Sequence, residues 1–318
     1  MDATISSDVN VANIEKAAKL IDPVFRDSPQ YIDEQLCAAL GRRVVIKVET
    51  ANPIRSFKGR GADFLFGQLD KRRHIVCSSA GNFGQAMAYA GRKRGMKVEV
   101  FVSSDVNPVK LTRMKSLGAE VKLVEGDGEV AKQKARSYAE QQAERIFIED
   151  GENAAITEGA GTIGLELLKG DSVDTIVAPV GDGALITGIG LWVKEHSPKT
   201  KIVGVCASGS PAMAESWRAG RVIASEKTDT IADGIAVRAP IARSVDRMRN
   251  VVDQMVLVDD AQMLQAMRLA AATLGLILEP AGAAGLAAIQ SHSIGGDVLA
   301  TVLTGSNIHP DLLTSIFA

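Results

Sequence analysis

The chain has 318 residues, 46% of them apolar and 23% charged, with a formal net charge of −2 and no long run of either sign. That length suits two domains, or one large α/β unit with an insertion, and the near-neutral balance leaves no footprint for nucleic acid or an acidic membrane surface. Cys37, Cys77 and Cys206 form no C-x-x-C pair, no apolar run approaches the ~20 residues of a membrane span, and the first residues lack signal-peptide design, so a cytoplasmic protein with reduced thiols is expected.

In chain order, short β-branched runs alternate with Ala-rich helical stretches. Strands are predicted at 44–49, 74–78, 97–102, 120–124, 175–180, 201–206, 252–258 and 297–304. Helices are predicted at 57–69, 83–94, 109–117, 130–142, 161–168 (in a series starting at Ala154) and 261–274. Asp259 or Asp260 is a plausible cap for the last of these, and Pro310 suits a helical first turn. Strands that are apolar along most of their length, alternating with helices, argue for parallel sheets covered on both faces. The compact strand–helix series at 74–148 reads as a smaller domain inserted into a larger one formed by 1–73 and 149–318.

Four loops fall at the carboxyl ends of predicted strands, the side of a parallel sheet at which ligands gather. The first, Asn52-Pro53-Ile54-Arg55-Ser56-Phe57-Lys58-Gly59-Arg60, places Ser56 as a cap and Lys58 in the first helical turn. There the positive end of the helix dipole favours a neutral amine or imine, as a nucleophilic lysine requires. An exposed lysine in a basic turn beside Arg55 and Arg60 is the bland alternative. The second, Ser78-Ser79-Ala80-Gly81-Asn82-Phe83, offers backbone N–H groups to a carboxylate, or is a plain capped turn. In the third, Gly181-Asp182-Gly183-Ala184-Leu185, a glycine-rich turn into a helix suits a phosphate. It lacks both the P-loop lysine and a clean dinucleotide signature, so a monophosphate fits best. Asp182 would repel that phosphate and is expected to point away or to cap a neighbouring N–H. The fourth, Leu303-Thr304-Gly305-Ser306-Asn307, puts a hydroxyl at a strand end.

In this order, and with Thr230-Ile231-Ala232-Asp233-Gly234-Ile235 and Glu279-Pro280-Ala281-Gly282, these loops resemble the fold-type II pyridoxal-phosphate (PLP) enzymes, in particular the threonine/serine dehydratase and serine racemase group. The likeness runs from about Ser28 to the C-terminus. It implies a tryptophan synthase beta-like α/β fold of two three-layer α/β/α domains with parallel sheets, the smaller one mobile. Ser56-Phe57-Lys58 is similar to the family's cofactor-lysine motif, so Phe57 would contact the cofactor while Lys58 forms the internal Schiff base and shuttles the α-proton. The resemblance further implies that Asn82 meets the ring hydroxyl, that Ser79, Ala80, Gly81 and Asn82 hold the substrate carboxylate, that Gly181, Asp182, Gly183, Ala184 and Leu185 cradle the cofactor phosphate, and that Thr304 faces the ring nitrogen. A small amino acid as substrate and a homodimer are implied as well. Since the chain stops shortly after Thr304, a form without the isoleucine-responsive C-terminal domain of some relatives is expected.

Departures from the family pattern sharpen the expected reaction. Racemases of this group carry a serine as second base where this chain has Ala80, which favours dehydration. Phe83 stands where histidine is frequent and is expected to be packing or a pocket wall. The metal-binding glutamate of some relatives falls at about Cys206, read as a buried thiol, so no metal site of that type is expected. His74, His196, His292 and His309 are dispersed without metal spacing. Arg92-Lys93-Arg94 reads as a solvated helix end, and Asp233 and Glu279 either position loops or touch substrate. The expected activity is deaminating dehydration of threonine, serine or a related hydroxy amino acid. The alternatives are threonine synthase-like or cysteine synthase-like replacement, and a PLP-binding protein without turnover.

Overall fold

The computed structural model describes residues 8–104, 106 and 108–317. In chain order the strands are β1 (Gln30–Ile32), β2 (Arg43–Val48), β3 (His74–Ser78), β4 (Val98–Ser103), β5 (Glu120–Val124), β6 (Arg145–Phe147), β7 (Thr175–Pro179), β8 (Lys201–Ala207), β9 (Gln254–Val258) and β10 (Val298–Leu303). The helices are α1 (Val11–Leu20), α2 (Glu34–Leu40), α3 (Lys58–Phe66), α4 (Asn82–Arg94), α5 (Pro108–Ser116), α6 (Gly128–Glu140), α7 (Ala154–Leu167), α8 (Ala184–His196), α9 (Ala212–Ala219), α10 (Ala242–Arg249), α11 (Asp260–Leu274), α12 (Pro280–Ser291) and α13 (Pro310–Phe317).

Two sheets result. The larger runs β1-β2-β10-β7-β8-β9 and the smaller β5-β4-β3-β6. Every neighbouring pair is parallel except β1 with β2, where Tyr31 faces Ile46 across an antiparallel ladder. The expected strands are present, with ends shifted by a residue or two. Two further strands, β1 and β6, are only three residues long and carry polar or half-exposed side chains, too short for a period-2 signal. The antiparallel edge departs from the parallel sheets expected, in a way common for α/β folds.

Burial follows this order. Interior strands β7 and β4 are buried at every position, whereas edge strand β5 is buried only at Val124. Cys77 and Cys206 lie near the ends of β3 and β8, fully buried, and burial pushes both thiols up to about 12. Cys37 is half-buried, and all three cysteines are free.

α3 is held by close backbone packing against α7. A Cβ on Gly61 would stand 2.5 Å from the Ile156 carbonyl, and one on Gly159 would stand 2.7 Å from that of Arg60. Only hydrogen fits at both positions, so the approach fixes where α3 begins. Arg60 is not part of an exposed basic turn; it is fully buried among Glu49, Glu166 and Thr162. Nor is Ser56 the cap: Phe57 occupies that position without a side-chain hydrogen bond, and Ser56 bridges to Gly305. By contrast, Asp259 and Gln262 form a reciprocal capping box on α11, and Pro310 opens α13. The basic end of α4 is pinned: Arg92 donates to the Ser116 carbonyl at 2.9 Å, Lys93 pairs with Asp22 and Arg94 with Asp63.

Candidate active site

The carboxyl ends of β2, β3, β6, β7 and β10 converge, and the loops beyond them line a cavity of about 230 Å³. Phe57 and Lys58 enter after β2, Ser79, Ala80, Gly81 and Asn82 after β3, and Gly181, Asp182, Gly183, Ala184 and Leu185 after β7, with Thr304 after β10. Every candidate residue singled out from the sequence therefore borders one space. Phe83 does too, while packing at 5% exposure into the core around α4.

Two walls are built for anions. Gly183, with φ +87, turns the chain into α8, whose first-turn amides have no partner within the helix. Its neighbours forbid a side chain: a Cβ there would strike the Ser244 hydroxyl and lie 3.0 Å from Met248 Sδ. Gly81 precedes α4 with φ −118 and ψ −145, and its N–H is met by Ser79 Oγ at 3.2 Å. The N-terminus of α4 thus presents a second set of amides to the same cavity.

Asn82 is held from two sides. Its Nδ2 donates to Glu279 Oε1 at 2.6 Å, and its Oδ1 accepts from Asn307 Nδ2 at 2.7 Å. Asn307 also donates to the Ile54 carbonyl at 2.8 Å, and its backbone N–H reaches Glu279 Oε2 at 3.1 Å. Glu279 thereby positions the loops, and burial, reinforced by Asp233, pushes its carboxyl up to about 7. The hydroxyl of Thr304 makes only a long bond, 3.4 Å, to the Ala281 carbonyl, so it can turn toward a ligand at little cost.

The charged centre of the cavity contains a residue without any mark in the sequence. Lys58 Nζ pairs with Asp150 Oδ2, lies 4.8 Å from the centre of the Phe57 ring, and is mostly buried. Asp182 is near enough to Asp150 and Lys58 to feel both charges. It lines the cavity, and burial together with the charge of Asp150 pushes its carboxyl up, against the pull of Lys58 and Lys132. Lys110 of α5, also in the lining, pairs with Asp233. Asp150 comes after β6, the short strand without a sequence signal, which hid its place at a strand end. Asn307 stands in the fourth loop, but only the fold brings it to Asn82. Among the described residues no group of three or more His, Cys, Asp and Glu side chains is arranged to hold a metal, and no helix is long and apolar enough to cross a membrane.

A family model described as pyridoxal-phosphate dependent enzyme matches residues 27–305. The chain belongs to that family. L-threonine ammonia-lyase of Thermotoga maritima is 29% identical over 313 residues, covering 97% of this chain and 78% of that protein. An L-threonine dehydratase of Lactococcus lactis is 29% identical over 312 residues, covering 94% and 75%. Among solved structures, maize serine racemase superposes with a TM-score of 0.90 at 26% identity, covering 97% of both chains. A threonine deaminase from T.th. gives 0.88 at 30% identity, covering 94% of this chain and 98% of that one. The protein is a PLP-dependent enzyme of the threonine/serine dehydratase family, with the fold-type II architecture and an ammonia-lyase-like character. The walls of the cavity fit the cofactor, offering an amine, a glycine cradle that no Cβ could enter and a free-turning hydroxyl.

Proposed function

We propose that this PLP enzyme removes water and then ammonia from a hydroxyl-bearing amino acid of the threonine or serine kind, releasing a 2-oxo acid. One observation carries the reading: Lys58, the amides at the start of α4 and the cradle at the start of α8 face a single cavity, and Ala80 puts no proton-carrying side chain into it. When bound, PLP supplies an aldehyde for the substrate amine and an electron sink for the bond broken at the α-carbon.

The chain supplies the rest. Lys58 holds the cofactor covalently, and its Nζ takes the substrate α-proton once freed. Gly181 to Leu185 hold the phosphate through amides and dipole, with Phe57 alongside the cofactor. Ser79, Ala80, Gly81 and Asn82 fix the substrate carboxylate, and Asn82, steadied by Glu279 and Asn307, is set to meet the ring hydroxyl. Thr304 would offer the ring nitrogen a hydroxyl, which, unlike a carboxylate, would impose no charge on it. With no base at position 80, a proton taken by Lys58 has no counterpart on the other face, which supports elimination over racemisation.

In the same reading residues 74–148 form a small unit that closes on the body made of 1–73 and 149–318. Support comes from Asn82 with Glu279 and from Lys110 with Asp233, both spanning the smaller-sheet and larger-sheet segments. A panel of hydroxy amino acids, assayed for 2-oxo acid and ammonium without added nucleophile, tests the proposal. Product only from acetylated or phosphorylated substrates would place the enzyme among replacement catalysts. If no amino acid perturbs the cofactor spectrum, the protein binds PLP without turnover.

A further inference from the structure

Neither the phosphate cradle nor the carboxylate cradle accounts for Asp150. It is 8% exposed, its Oδ2 meets Lys58 Nζ, and its Oδ1 is buried without any hydrogen-bond partner. An unmet buried acceptor costs about 1–3 kcal/mol, so a carboxylate that serves only the fold ordinarily has both oxygens engaged; Glu99 Oε2, outside the cavity lining, is an exception. Glu166, with Arg60 on both oxygens, is that ordinary case.

The charges around Lys58 favour Asp150 as its anionic partner. Asp182 approaches from the loop before α8, but burial and Asp150 itself push its carboxyl toward the neutral form. Lys132 of α6 is engaged by Glu149 and Glu129. Lys110, Asp233 and Glu279 also line the cavity, and there Lys110 pairs with Asp233. Cys77, behind Asp150, is protonated at neutral pH.

We propose that Asp150 is a positioning residue for Lys58, the counter-ion that keeps a proton on the lysine nitrogen both while it is bonded to the cofactor and after it has taken the substrate's α-proton. No covalent bond to Asp150 forms or breaks. The proton moves from the α-carbon to Nζ, and the carboxylate accepts a hydrogen bond from the resulting ammonium. The inference rests on cofactor attachment at Lys58 and not on which amino acid is consumed.

The test uses the holoenzyme without any amino acid. The visible absorption of the protonated lysine–cofactor link is followed against pH in the wild type and in Asp150→Asn, which keeps size and removes charge. An opposite charge at this distance is worth roughly 1–3 pH units. Asp150→Asn should therefore lose the band at least about one unit lower than wild type, with Asp150→Glu moving it back. In turnover, kcat should fall by about 10²-fold with KM nearly unchanged. Superimposable titrations of wild type and Asp150→Asn would overturn the proposal. Should Asp150→Asn fail to fold or to take up cofactor, Asp150→Glu and Asp150→Ser decide: titrations that differ support the counter-ion, and titrations that coincide overturn it. Because no substrate is present, failure of the dehydratase reading leaves this result intact, and the reverse also holds.

Discussion

Lys58 and Arg60 share the first turn of α3, and each is the cation of a buried ionic cluster. Around Arg60 the hydrogen bonding is saturated. Its guanidinium reaches both oxygens of Glu49 at 2.7 and 2.8 Å, both oxygens of Glu166 at 2.6 and 2.8 Å, and Thr162 at 3.0 Å. Lys47 adds a bond to Glu166 at 2.6 Å. Around Lys58 there are acids to spare, one carboxylate oxygen without a partner, and a second carboxyl driven toward neutrality. The difference separates a cluster that fixes the helix from one left open for a ligand. A saturated set has nothing to offer a substrate, whereas an unsaturated set is tolerated where a ligand completes it.

That contrast can be broken most severely at Lys58. Lys58→Ala should abolish the covalent cofactor band and lower kcat by at least about 10³-fold. Arg60→Ala acts on the fold instead, costing roughly 3–5 kcal/mol of stability in urea unfolding, since it leaves buried Glu49 without its cation and Glu166 with Lys47 alone. Acid should find the same cluster. Burial raises the Glu166 carboxyl, but Arg60 and Lys47 outweigh it and bring it from 4.5 to about 2. Its contribution, about 3 kcal/mol, is complete above the unfolded value and is lost as the pH falls through the folded one. Unfolding midpoints measured across that window check this, and a flat profile would contradict it. The smallest effect is expected from Asp182→Asn. The raised Asp182 carboxyl favours folding only while protonated, so the variant should melt higher than wild type at about pH 8 and no higher at about pH 4.

The two clusters are unequally legible in the sequence. Lys58 announces itself through its helix start and through the glycine loops that accompany it in order. Arg60 does not, because burial of a guanidinium depends on Glu49 and Glu166, the latter more than a hundred residues away in the chain. Asp150 is hidden for a different reason. The strand before it, Arg145–Phe147, is too short to betray a sheet, so nothing marks the loop as a strand end. Ser56 misleads, since its capping chemistry is sound locally but a bridge to Gly305 claims its backbone. That Asp182 is awkward for a phosphate is plain from its loop; that it meets another acid requires the fold. Local chemistry and the succession of strands and helices along the chain can be read, whereas pairings between distant loops cannot.

Cys77 and Cys206 give each sheet its own clock. Both thiols are fully shielded and held in the unreactive protonated form, one near the end of β3 in the smaller sheet and the other near the end of β8 in the larger. An alkylating reagent can reach either one only after its sheet has opened. Mass-resolved labelling rates at the two positions therefore report separately how often each half of the molecule comes apart, with half-buried Cys37 as the internal standard.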